Sequence, residues 1–162
     1  MLALDTPTAQ YRAAAEAHDV DGMLACMTPG VVLSSPITDA FAFAGRDQLR
    51  LLLEDVFAVM DDVAYSLDAG DDRTRVLRLS ARIGPQRLDE VMLVTLDDDG
   101  LIERFELFVR PLPGLTAMAA ALGPRVARRR GRARALLAAA MLRPLARMTR
   151  SGEGLGARLA RP

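Results

Sequence analysis

Residues 77–109 read LRLSARIGPQRLDEVMLVTLDDDGLIERFELFV, and this stretch decides the fold. Leu77, Leu79, Ala81 and Ile83 alternate with Arg78, Ser80 and Arg82. A period of two puts the apolar set on one face of a strand and the polar set on the other. Gly84-Pro85 turns the chain, Leu88 to Leu96 makes a second strand, and Asp97-Asp98-Asp99-Gly100 makes a tight turn. Leu101 to Val109 is then a final strand stopped by Pro111. Upstream, Val63, Tyr65 and Leu67 alternate ahead of a turn at Gly70-Asp71-Asp72. Connections this short join antiparallel neighbours, so the strands form a meander.

Working towards the N-terminus, the period changes. Leu49, Leu52, Leu53, Val56 and Met60 recur at helical spacing after Gly45 and form one apolar face. Thr6 followed by Pro7 reads as an N-cap with proline at the first helical position, opening a helix to about Ala17. Asp19 caps a second short helix through Met27, ended by Pro29-Gly30. Val31-Val32-Leu33 is a short strand closed by Ser34-Ser35-Pro36. A sheet with one apolar face needs helices to cover it. The expected class is therefore α+β: a curved antiparallel sheet packed by three N-terminal helices, a cone-shaped barrel with a cavity between the layers. This domain is read as residues 1–114, and residues 115–162 as a basic extension.

Charge marks the same division. The net charge of the 162 residues is zero, yet residues 1–114 hold 10 Arg against 20 acidic residues, and residues 115–162 hold 11 Arg against Glu153 alone. There is no lysine, a habit of GC-rich genomes, so arginine here is not a choice for bidentate recognition. Cys26 and His18 are the single cysteine and histidine, which excludes an internal disulfide and a cysteine-based zinc framework. The N-terminus lacks a basic stretch followed by an apolar run, and the longest uncharged apolar run, Ala135 to Leu142, is far below the roughly 20 residues of a spanning helix. The expected location is the cytoplasm.

The element order, with Tyr11 through Asp19-Val20-Asp21, Val31-Val32-Leu33-Ser34-Ser35-Pro36, Gly45-Arg46-Asp47 and Asp97-Asp98-Asp99-Gly100-Leu101-Ile102, resembles the nuclear transport factor 2-like superfamily. Within it, the SnoaL-like and ketosteroid-isomerase-like branch is most similar, over roughly residues 7–114. The resemblance implies an apolar cavity, cofactor-free acid–base chemistry and a homodimer through the outer sheet face. The isomerases use a carboxylate base, and a tyrosine and a neutral buried acid that hold an oxyanion. Tyr11 falls where they place that tyrosine, Ser35 where they place the aspartate base, and Met92 where they place the second acid. Leu107 falls where limonene epoxide hydrolases place an acid. Neither Ser35 nor Met92 shuttles a proton near neutral pH, so the resemblance implies a fold more firmly than a reaction.

Strand period supplies the candidates. If Met92 faces the cavity, so do Leu88, Glu90, Val94 and Leu96. Glu90 is then a carboxylate on an apolar face, either a general acid–base group with a raised pKa or a partner of Arg82 or Arg87. Tyr11 either offers its hydroxyl to the cavity or packs the first helix onto the sheet. Ser34 and Ser35 orient a ligand or form a turn. Phe105, Leu107 and Val109 are expected on the inner wall, with Arg104, Glu106 and Phe108 on the outer face where a dimer contact would lie. The expected ligand is a small apolar molecule. His18 suits the dipole at a helix end, Cys26 a core position, and the Asp runs turns rather than metal sites.

In the extension, Leu115 to Leu122 reads as a short helix broken by Gly123-Pro124. Arg125 to Arg134 holds six arginines in ten residues, and Ala135 to Met148 is a helix with Leu137, Met141, Leu145 and Met148 on one face. Disorder is expected from Ser151 on. Three roles stay open: an anionic membrane surface, nucleic acid (disfavoured because the extension has no aromatic residue), or folding back on the acidic body.

Overall fold

The computed structural model describes residues 6–160. Two short helices, α1 (Ala9–Glu16) and α2 (Val20–Ala25), precede β1 (Met27–Ser34) and β2 (Ala42–Ala44). Helix α3 (Arg46–Phe57) leads into the meander β3 (Asp61–Gly70), β4 (Thr74–Ile83), β5 (Gln86–Leu96) and β6 (Ile102–Arg110). Helices α4 (Leu112–Arg128) and α5 (Arg132–Leu159) follow. The six strands form one sheet in the order β2-β1-β6-β5-β4-β3. Every pairing is antiparallel except β1 with β6, where a parallel ladder joins the N-terminal strands to the meander.

The turns form as their residues demand. Asp97 Oδ1 accepts from the backbone N–H groups of Asp99 and Leu101, while Gly100 takes a φ of 76° that favours glycine. The face predicted from alternation is the buried one: Leu77, Leu79, Ala81 and Ile83 on β4, and Leu88 through Leu96 on β5. Against it pack Leu49, Leu52 and Leu53 of α3 and Tyr11 and Ala15 of α1. Side chains such as Leu49 and Leu77, with 0% exposure, each contribute roughly 1.5–3 kcal/mol of burial.

Several boundaries differ from expectation. Helix α1 begins at Ala9, because the hydroxyls of Thr6 and Thr8 donate to Asp68 Oδ2 (2.7 and 2.8 Å) instead of capping it. Strand β1 runs through Pro29-Gly30, which occupy the irregular stretch between Met27 and Val32 where the ladder to β6 lapses. On β3 a register shift between Tyr65 and Leu67 inverts the alternation, leaving Leu67 exposed and turning Asp68 inward. Asp68 meets Arg12 Nε at 2.8 Å and Arg75 Nε at 2.6 Å, and its side chain is 0% exposed. Burial pushes its pKa up, but the hydrogen bonds from Thr6, Arg75 and Thr8 and the Arg75 charge outweigh it, so the carboxyl titrates below its ordinary value.

The extension is helical. Helix α4 continues through Pro124 because Leu122 and Val126, on either side of it, pack on the body. Gly114 lets α4 approach β5 closely, since a Cβ there would stand 2.8 Å from Leu88 Cβ. Helix α5 does not fray at Ser151 but runs to Leu159, docked on α4 by the Thr116–Thr149 hydroxyl pair at 2.6 Å. Arg125 and Arg129 reach Asp55 on α3, so the start of the basic segment does fold onto the acidic body. Among the described residues no helix is long and apolar enough to cross a membrane.

Candidate functional site

A cavity of about 830 Å³ lies between the concave face of the sheet and helices α1, α3 and α4. Its wall is mostly apolar, drawn from Leu52, Val56, Leu79, Met92, Leu107 and Met118 among others, with Arg130, Arg134 and Leu142 also on its lining. Size and lining suit a drug-sized apolar ligand.

Among the described residues Glu90 is the one carboxylate on this wall. Strand β5 holds it in register between Leu79 of β4 and Val109 of β6, and the residue is 7% exposed. No hydrogen bond or ion pair reaches its carboxyl from the described residues. The arginines expected as partners are engaged or remote: Arg82 faces Asp62 and the Gly84 carbonyl, and Arg87 is exposed. Burial without compensation disfavours the charged form, and the pKa rises from 4.5 to about 7.

Two phenols share the cavity. Tyr11 is 5% exposed, rests against Phe105 with ring centroids 5.3 Å apart, and meets Tyr65 edge-on at 6.5 Å. Tyr11 Oη donates to Met92 Sδ at 3.9 Å. Burial, and next the neighbouring Glu90, raises the Tyr11 pKa; burial, and next Tyr11, does the same for Tyr65. Both stay protonated, so both stay donors. A thioether is a weak acceptor, which leaves the Tyr11 proton ready for a better one.

The residues singled out from sequence divide. Tyr11, Glu90, Ser35, Met92 and Leu107 line the cavity. Phe105 does not, because the tilted ring of Tyr11 lies against it and Phe105 is 1% exposed beneath that ring. Val109 is also off the lining; it packs beside Glu90 at the end of β6. Ser35 Oγ accepts from the Ile37 N–H at 3.2 Å, so the turn-forming role is present while the residue also lines the mouth. His18 stacks on Phe57 at 4.4 Å in a left-handed conformation (φ 56°), a packing role at the end of α1. Among the described residues no group of three or more His, Cys, Asp and Glu is placed to hold a metal ion. Tyr65 was missed as a site residue, though its alternation with Val63 already put it on the inner face.

The model of the SnoaL-like domain matches residues 8–105. The chain belongs to the SnoaL-like family. Among solved structures, this SnoaL-like protein is similar to a steroid delta-isomerase from Pseudomonas aeruginosa, with 32% identity over 75% of this chain and 89% of that one and a TM-score of 0.67. It is also similar to an uncharacterized protein with a cystatin-like fold from Silicibacter pomeroyi, at 25% identity over 74% and 84% of the chains and a TM-score of 0.69. The epoxide hydrolase/cyclase-like enzyme SalBIII, of pyran ring formation in the polyether salinomycin, shares the fold at 17% identity over 64% and 88% of the chains and a TM-score of 0.55. Among curated proteins none matches the sequence.

Proposed function

We propose that this SnoaL-like protein binds a small apolar or polycyclic molecule in the cavity and moves a proton on it without a cofactor, in an isomerisation or cyclisation. The observation that carries the reading is Glu90, an unpaired carboxyl on an apolar wall with a pKa of about 7. Such a group is close to half ionised at neutral pH, so it takes a proton as readily as it returns one. Tyr11 donates its hydroxyl proton to an oxygen of the substrate, stabilising the charge that develops there when Glu90 removes a proton from a nearby carbon. Tyr65, edge-on to Tyr11 on the same wall, offers a second hydroxyl, and Ser35 places the substrate at the mouth. The similarity to a steroid delta-isomerase from Pseudomonas aeruginosa supports an isomerisation.

A second reading, ligand binding without turnover, draws on Ser35 and Met92, which the family resemblance sets where the isomerases carry acids. One experiment separates the two. The full chain is screened by thermal shift against steroids, aromatic polyketides and terpenoid epoxides. At 100 times its Kd a ligand adds about 2.7 kcal/mol, or roughly 5–11 °C for a chain of this size. Ligands that shift the protein are then assayed for conversion with wild type and Glu90→Gln. The catalytic reading expects Glu90→Gln to keep the thermal shift and lose turnover by at least about a hundredfold. Conversion that survives Glu90→Gln overturns it, and saturable binding with no conversion of any ligand supports the second reading.

A further inference from the structure

The lining of the cavity changes from its floor to its mouth. Glu90, Tyr11 and Met92 are buried and lie at the inner end. Exposed lining residues mark the mouth, among them Ile37 and Phe41 from the β1–β2 connection and Arg130 and Arg134 from the α4–α5 hairpin. Arg130 sits in the turn after α4, and Arg134 in the first turn of α5. Among the described residues they are the two cations on the lining, and neither has an ion pair. Arg125 and Arg129 of the same hairpin, by contrast, are held by Asp55. The cavity therefore has an apolar wall with a carboxyl at its inner end and two unpaired cations at its mouth.

We infer that the ligand of this cavity is an amphipathic anion, an apolar ring system or chain whose carboxylate or phosphate stays at the mouth with Arg130 and Arg134. This rests on the cavity reading above and narrows its substrate class. Charge sets the orientation. An anionic head at the inner end would lose its water beside Glu90, with no cation on that part of the wall to offset the cost. At the mouth the head keeps part of its hydration and gains two positive neighbours. The carbon on which Glu90 and Tyr11 act then lies in the apolar body, remote from the acid group. A second groove, of about 200 Å³, carries Arg143, Arg147 and Arg150, none of which lines the cavity. Those arginines supply a charge-matched control.

The test uses the full chain and N-phenyl-1-naphthylamine, a neutral dye that brightens in apolar surroundings. Decanoate, decyl phosphate and decanol, which share a chain length and differ in the head, compete for its place. The better of the two anions is expected to displace the dye at roughly tenfold lower concentration than decanol, the effect of two exposed ion pairs. Which anion that is assigns the head as carboxylate or phosphate, and the preference is expected to shrink as salt rises. Arg130→Gln with Arg134→Gln is expected to abolish the preference and leave dye affinity and melting temperature unchanged. Arg143→Gln with Arg147→Gln is expected to keep it. Decanol displacing the dye as well as either anion, or an equal loss of preference in both double variants, overturns the inference and leaves the cavity reading standing. A dye that does not bind removes the cavity reading, and the inference falls with it.

Discussion

Replacing Glu90 by glutamine keeps the shape of the side chain and removes its ability to ionise, so the variant isolates the cost of charging this site. The carboxyl titrates near 4.5 when unfolded and near 7 in the cavity, raised by burial. Between those values the native state holds more protons than the unfolded state, so stability falls as pH rises through this window. Above pH 7 both states are ionised and the full cost is present. A gap of 2.5 units, at about 1.4 kcal/mol each, gives about 3 kcal/mol at pH 8. At pH 5 the same relation leaves about 1 kcal/mol. Urea unfolding of wild type and Glu90→Gln at the two pH values reads the difference directly, as a change in midpoint at constant slope. The variant is expected to gain about 2 kcal/mol more over wild type at pH 8 than at pH 5. An equal gain, or none, at both would mean that Glu90 is solvated or paired, and the acid–base reading would lose its basis.

Other predictions follow from single contacts. Asp68→Asn leaves Arg12 and Arg75, both buried, without their shared countercharge, and is expected to cost about 3–5 kcal/mol in chemical denaturation at pH 7. Because the Asp68 pKa is depressed, that contribution persists through mild acid and disappears only as pH falls through the lowered value, so the two proteins should converge in strong acid. Gly114→Ala would place a Cβ 2.8 Å from Leu88 Cβ and 3.1 Å from the Arg87 carbonyl, and is expected to lower stability by about 1–3 kcal/mol as α4 is pushed off the sheet. Gly152→Ala, with nothing within 4 Å, serves as its control and should melt no lower than wild type.

The meander was legible because period-two alternation and Gly–Asp–Pro turns are local signals, and Glu90 was found by carrying that period from Met92, which the family resemblance set towards the cavity. What escaped depends on distant partners. Nothing near Asp68 announces that a shifted register turns it inward to meet Arg12 and Arg75, one from a helix and one from the next strand. Pro29-Gly30 and Gly123-Pro124 read as stops by local rule, but an irregular ladder absorbs the first pair and packing across the cavity overrides the second. Phe105 and Val109 were placed on the correct face of β6, yet facing inward does not decide whether a side chain meets the cavity or its neighbours. Tyr11 covers the one, and the end of the strand withdraws the other.

The single parallel pairing also sets a schedule for synthesis. In the β1–β6 ladder Ser34 lies opposite Glu106, 72 residues later in the chain. At roughly 5–20 residues per second, a ribosome needs about 4–14 s to make the partner that β1 lacks. During that interval one edge of β1 has no strand to pair with, and Val31 and Leu33 await the core they will join. The arginine-rich helices follow β6 in the chain and are translated after it. A ribosome stalled before β6 would therefore hold an open sheet edge, whereas one stalled after Arg110 would hold every strand of the sheet.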